Sequence, residues 1–275
     1  MEGLVTAYSG TSLTVNVDLT SATAATVTPP GVLPNYLGGC ILANDATTPN
    51  TVLDIGYGAA TSDDNSTLMT VPTASFIKNC NAAWVVGSGN GALDSGSALA
   101  ASTWYHVFLI ERVDTFVVDV LISTSATAPV LPTNYTKKRR IGTIATDATP
   151  KIVAFTQFGD EFLWVAPVLN INNGSMAAVT PASAILSVPP GIKVLANFTG
   201  YLAPSVNVGV VFWSLDHQPL ASGNAYLHLW ALAGQADGGE FRIRTNTNQQ
   251  ISYMANAASS GLYIQTLGWT DNRGR

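Results

Sequence analysis

At 275 residues the chain is long enough to bury about three quarters of its unfolded surface, so it does not depend on disulfides, and two cysteines would not supply a framework. Only 11% of residues are charged, the net charge is −5, and no lysine or arginine precedes Lys78. Phosphate neutralisation needs clustered basic residues, so nucleic acid is excluded as a partner, and the Thr, Ser, Asn, Ala and Gly that replace charge fit a particle-borne or extracellular β protein better than a cytosolic enzyme.

Residues 3–8 and 12–18 read as a small hairpin, because Leu13, Val15 and Val17 alternate with polar residues after a TyrSerGlyThrSer turn. A Thr/Ala stretch then ends in ThrProProGly at 28–31, and a proline pair favours an extended spacer. Residues 1–33 are therefore expected to be an arm or anchor. The opening residues lack the basic and apolar segments of a signal peptide, and no run of about 18 apolar residues occurs to span a membrane.

Short β-like runs broken by turn residues follow, the pattern of sandwiches and barrels. Strands are expected at 38–43, 51–57, 66–71, 104–110, 116–123, 139–145, 151–156 and 161–166. Residues 74–80 read as a short helical turn and 87–97 as a glycine-rich loop. LeuAsnIleAsnAsnGlySerMetAlaAlaValThrProAlaSer, residues 169–183, reads as a connection. Strands are expected again at 184–188, 191–199, 206–215, 225–233, 240–245, 250–255 and 262–269. The predicted fold is all-β: two antiparallel β-sandwich modules of jelly-roll or concanavalin-like type, 34–168 and 169–275, behind the arm 1–33.

The apolar hairpin WYHVFLIERVDTFVVDVLIS, 104–123, raises a chemical question, since His106 and Asp119 face each other only in certain registers. A catalytic dyad needs a nucleophile, and neither Ser102 nor Ser123 stands in a GxSxG elbow. His106 therefore reads as a structural histidine. His217 and His228 form no HxH, HxxxH or CxxC spacing with the rest, so no transition-metal site is expected. SerAspAspAsnSerThr at 62–67 is oxygen-rich but lacks the glycine and distal glutamate of an EF-hand. Asp160 and Glu161 are strand neighbours that point to opposite faces, unlike the paired carboxyls of glycosidases. No glycine motif completes a nucleotide loop. No catalytic residue, cofactor or metal is expected. Candidate contacts to a glycan or partner are Asp63 and Asp64, Asn90 in the glycine-rich loop, Asp216 and His217, and the basic run Lys137, Lys138, Arg139 and Arg140. That run also fits a solvated strand edge. Most of the six tryptophans read as core, with one or two as exposed stacking platforms for sugar rings.

Several long motifs carry a resemblance. TrpTyrHisValPheLeuIle, ValValAspValLeu, LeuProThrAsnTyrThr, LysArgArgIleGly, GlyAspGluPheLeuTrp, LeuSerValProProGlyIle, ArgIleArgThrAsnThrAsnGlnGln and LeuGlyTrpThrAspAsnArgGlyArg together resemble tail-fibre or virion proteins of tailed phages and prophages. The likeness covers most of 34–275. The TrpTyrHisVal start is also similar, at fold level, to laminin-G and concanavalin-like sandwiches. The resemblance implies a virion-surface protein, homotrimeric, made in the host cytoplasm and released by lysis. Residues 1–33 would contact other virion proteins or a neighbouring subunit, and the body would contact a host-surface glycan. The first hairpin resembles segments that precede such modules in longer fibres; because it opens the chain, a short appendage or capsid-surface protein is expected. A purely structural decoration or adaptor protein is the alternative. A glycan depolymerase comes third, because Asp160, Asp216 and Glu240 are isolated in sequence.

Overall fold

The computed structural model describes residues 4–9, 12–16, 32–219 and 228–274. The chain divides into two compact units, Met1–Val32 and Leu33–Arg275. In the first, β1 (Leu4–Ser9) and β2 (Ser12–Asn16) pair antiparallel, with an irregularity between Val5 and Ala7. The remainder of the expected arm, including ThrProProGly, lies outside the described residues.

The second unit is all-β. Its first strands are β3 (Leu37–Gly39), β4 (Leu42–Asn44), β5 (Val52–Gly56), β6 (Gly58–Thr61), β7 (Leu68–Thr70), β8 (Ser75–Ala83), β9 (Gly91–Leu93), β10 (Trp104–Arg112), β11 (Val118–Ser123) and β12 (Tyr135–Ala145). There follow β13 (Phe155–Phe158), β14 (Glu161–Met176), β15 (Ala182–Ile185), β16 (Leu195–Leu202), β17 (Val208–Trp213), β18 (Leu229–Ala231), β19 (Asp237–Arg244), β20 (Gln250–Ala255) and β21 (Ser259–Thr270). They form sheets in the spatial orders β12-β10-β11-β9-β8-β5-β4, β13-β14-β21-β16-β19, β15-β20-β17-β18 and β3-β6-β7. The largest sheet is mixed, because β9 runs parallel to both β8 and β11.

The hairpin β10–β11 lies inside the seven-stranded sheet, flanked by β12 and β9, and is buried on both faces. Val107, Leu109, Val120 and Ile122 join the main core on one side. Phe108, Ile110, Leu121 and Tyr135 form a second cluster on the other, closed by Trp84 and Leu131. That double burial explains why the hairpin reads as two nearly continuous apolar runs. The five- and four-stranded sheets face each other through Phe198 of β16, Phe212 of β17 and Phe241 of β19, whose ring centroids lie 5.0–5.6 Å apart. Trp104, Phe162, Trp164 and Trp269 pack into one aromatic cluster that links β10 to β14 and β21.

Three expectations are corrected. Residues 74–80 are not a helical turn: from Ser75 they belong to β8, where Phe76, Lys78 and Cys80 all point inward. Lysine at an inward position hides the period-2 pattern. The glycine-rich stretch contains the short strand β9, and a side chain at Gly91 would strike the Ala83 carbonyl oxygen at 1.9 Å. The stretch 169–183 is mostly strand: β14 runs through it to Met176, accommodating its Asn and Gly residues by three register irregularities against β21. The expected boundary at 168/169 therefore falls inside a strand, and one continuous core runs from Leu37 to Trp269. The body is a single compact unit of packed sheets rather than two separable modules.

Candidate functional site

The residues proposed as contacts separate into four places. Asp63 and Asp64 pair with Lys138 and Lys137, respectively. The Asp63 amide also donates to the Lys138 carbonyl at 2.9 Å. These four residues form a seam between the 62–66 turn and the edge strand β12. The Lys137 bond holds the Asp64 carboxyl well below the ordinary carboxylate range, with the Ser62 hydroxyl assisting.

Arg139 and Arg140 are the next two residues, yet they are buried, which corrects the reading of a solvated basic flank. Arg140 grips Asp271 as a two-pronged fork at 2.6 and 2.8 Å. Arg139 donates to the Gly274 carbonyl at 3.0 Å and more weakly to that of Asn35. Arg273 reaches Asp160 at 3.0 Å and the Gly39 carbonyl at 3.1 Å. Burial alone would raise the Asp271 carboxyl, but the Arg140 fork and the Arg273 amide outweigh it and hold the group below its usual range. His106 completes this clasp. Its Nδ1 lies 3.2 Å from the Thr143 hydroxyl, and the ring donates to the Pro190 carbonyl. Burial, then repulsion from Arg140, pushes its pKa down to about 4, so the ring is neutral at pH 7. The register places His106 opposite Ser123 and Asp119 opposite Ile110, so the two are not partners across the hairpin. Asp119 instead forms a fully buried pair with Lys78 at 3.0 Å. Lys78 also donates to the carbonyls of Val85 and Gly87, and Asp119 accepts from the Gly87 amide. That pair anchors the base of the loop carrying Asn90, whose side chain donates to the Val86 carbonyl.

Asp216 and His217 belong to a different environment. They lie in the turn after β17, where the His217 amide donates to the Ser214 carbonyl at 2.9 Å. This turn walls an open groove of about 480 Å³. The opposite wall is the end of β19, with Arg242, Ile243 and Arg244. Trp213 and His228 line the groove as well. A second depression of about 340 Å³ shares Leu195 and Arg244 with the first and adds Lys193 and Thr270. Lys193 bridges to Asp216, a contact that lowers the Asp216 carboxyl. The Phe212 amide donates to His228 Nδ1 at 3.1 Å, which leaves Nε2 as the protonated nitrogen. Partial burial lowers the His228 pKa and keeps it neutral. The imidazole lies nearly parallel to the rings of Phe212 and Phe241, at 6.3 and 5.7 Å.

Lys193, His228 and Arg244 escaped the sequence reading. ArgIleArg at 242–244 did carry a signal, since period-2 spacing puts both guanidiniums on one face of a strand. Neither a catalytic triad nor a carboxyl pair meets in the groove; Asp216 is its one carboxylate among the described residues. Asp160 is committed to Arg273, and Glu161 pairs with Arg242 on the other side of β14. Cys40 and Cys80 are free and buried, with thiol pKa values pushed by burial up to about 11 and about 12. Trp164, Trp213 and Trp269 are buried, Trp84 and Trp104 half-buried, and Trp230 exposed. Among the described residues no group of three metal-ligating side chains gathers, and no helix is long and apolar enough to cross a membrane. No protein-family model and no curated protein matches the chain.

Proposed function

We propose that the chain is a structural protein of a tailed-phage virion, displayed as a short tail or head appendage, that binds a saccharide of the host surface in the groove between β17 and β19. The supporting observation is that groove: the flat ring of His228 with Phe212 and Trp213 beside hydrogen-bonding and charged groups, the mixture that saccharide recognition needs. The motif resemblance supplies the virion context, and the body is read as one arm of a homotrimer anchored through residues 1–33. Labelled protein should bind host cells, and a His228→Ala, Arg244→Ala double variant that melts normally should not. Equal cell binding by that variant would remove the groove from the reading.

A second reading has its own support. Five of the resemblance motifs contribute to the buried clasp (His106, Arg140, Asp160, Pro190, Asp271 and Arg273), whereas ArgIleArgThrAsnThrAsnGlnGln forms a wall of the groove. That placement suits a capsid decoration or tail adaptor protein, in which the common feature is a stable body. Copies across the capsid lattice in a particle map would favour it, whereas copies at the tail tip would favour adhesion. A depolymerase is disfavoured because a glycosidase needs two carboxyl groups flanking the bond, roughly 5 to 9.5 Å apart. Release of oligosaccharide from host polysaccharide by the purified protein would reinstate it.

A further inference from the structure

The charge in the groove narrows its ligand. Resting on the saccharide reading above, we infer that the groove takes an anionic saccharide and seats the sugar carboxylate on Arg244. The protein as a whole is acidic, with a net charge of −5, yet three cations and one carboxylate line the two joined depressions. Two of those cations are already committed, Lys193 to Asp216 and Arg242 to Glu161. Arg244 differs. It is exposed at the end of an edge strand, and its side chain makes no hydrogen bond or ion pair with the described residues. Asp216 acts on it only through space. Arg244 also lines both depressions, so a group bound there lies at their junction.

A guanidinium presents a planar fork that matches a carboxylate with two parallel N–H···O bonds. The neighbouring groups suit the rest of a sugar ring. His228 Nε2–H is a donor, since Nδ1 already accepts from the Phe212 amide. Asp216 offers acceptor oxygens, and the Thr270 hydroxyl lies in the second depression. Phe241 and Phe212 hold the imidazole flat. One uncommitted arginine between two paired cations gives a single anion position. A polyphosphate would need a row of them, so a polymer with one carboxylate per apolar-faced ring fits better.

The test uses the whole chain and calorimetric titration with three acidic probes, tetragalacturonate, tetraglucuronate and sialyllactose, each beside its carboxyl-reduced counterpart. At least one acidic probe should bind about tenfold more tightly than its reduced form. Arg244→Ala should abolish that preference and Arg244→Lys should keep part of it, with thermal melts unchanged in both. Lys137→Ala, in the Asp64 seam and not part of the groove lining, should titrate like the parent. Equal binding of acidic and reduced probes, or unchanged preference in Arg244→Ala, overturns the carboxylate assignment while leaving a saccharide groove. Failure of every acidic and neutral probe to bind removes both.

Discussion

The clasp and the groove both set arginines beside aspartates, and they use them in opposite ways. In the clasp, the Arg140 side chain is 10% exposed and that of Asp271 1%, and the fork between them is closed. Taking two charges from water costs several kcal/mol per ion, which geometry this good roughly offsets. The clasp therefore adds little net energy but makes every alternative arrangement expensive. In the groove, Arg244 stays in water, costs nothing to fold, and keeps its donors for something else. A basic residue in a sequence thus says little until its burial and its partner are known.

The sharpest way to break this contrast is to unpair the clasp. Asp271→Ala leaves a buried guanidinium without its carboxylate and should lower unfolding free energy by about 3–5 kcal/mol in urea titrations. Arg140→Met combined with Asp271→Leu should recover much of that loss, because it removes both charges together. Near-wild-type stability of the single variant would show that the pair is not buried.

Acid tests the same region through His106. Its folded pKa of about 4 lies below the ordinary histidine value of 6.5, so below pH 6.5 the unfolded chain binds a proton that the folded one refuses. Stability from this group is complete above about pH 6.5 and drains away as pH falls to about 4, by about 3 kcal/mol in all. His106→Asn should be less stable at pH 7 and should lose that part of the slope. An identical pH dependence in the variant would place the titration elsewhere. Below about pH 4, protonation of Asp271 should open the clasp further, since its carboxyl is held low only in the folded state.

At the surface the effects shrink. Lys137→Ala should cost less than about 1 kcal/mol and should lose its effect in high salt, because the Asp64 side chain is half exposed. Smallest of all, Arg244→Ala should move stability by no more than about 0.5 kcal/mol, although it is the variant expected to matter most for ligand binding.

Local pattern made part of this legible. Short apolar runs broken by turn residues located β20 at its observed ends and the β10–β11 hairpin with its double burial, and they identified the chain as all-β. Asp160 and Glu161 do diverge, but Asp160 sits in the turn before β14 and only Glu161 is on the strand. Illegible were the features whose cause lies far along the chain. Lys78 reads as polar until Asp119 arrives across the sheet. Arg139 and Arg140 look like a solvated flank until residues 271–274 cover them. β14 reads as a loop because its Asn and Gly residues sit at bulges whose partner strand is β21, about a hundred residues later. The groove is of the same kind: Lys193, His228 and Arg244 come from three segments that only the packing of two sheets brings together.

The contact between Arg273 and the Gly39 carbonyl joins residues 234 positions apart. Closing such a span costs chain entropy that must be surrendered before any contact returns it. Slow folding is therefore expected of a body whose first strands must meet its final turn across nearly the whole chain. Until β14 and β21 find each other, their long edges are open to neighbouring copies. Time, as much as free energy, decides how many chains reach the finished state in a crowded assembly.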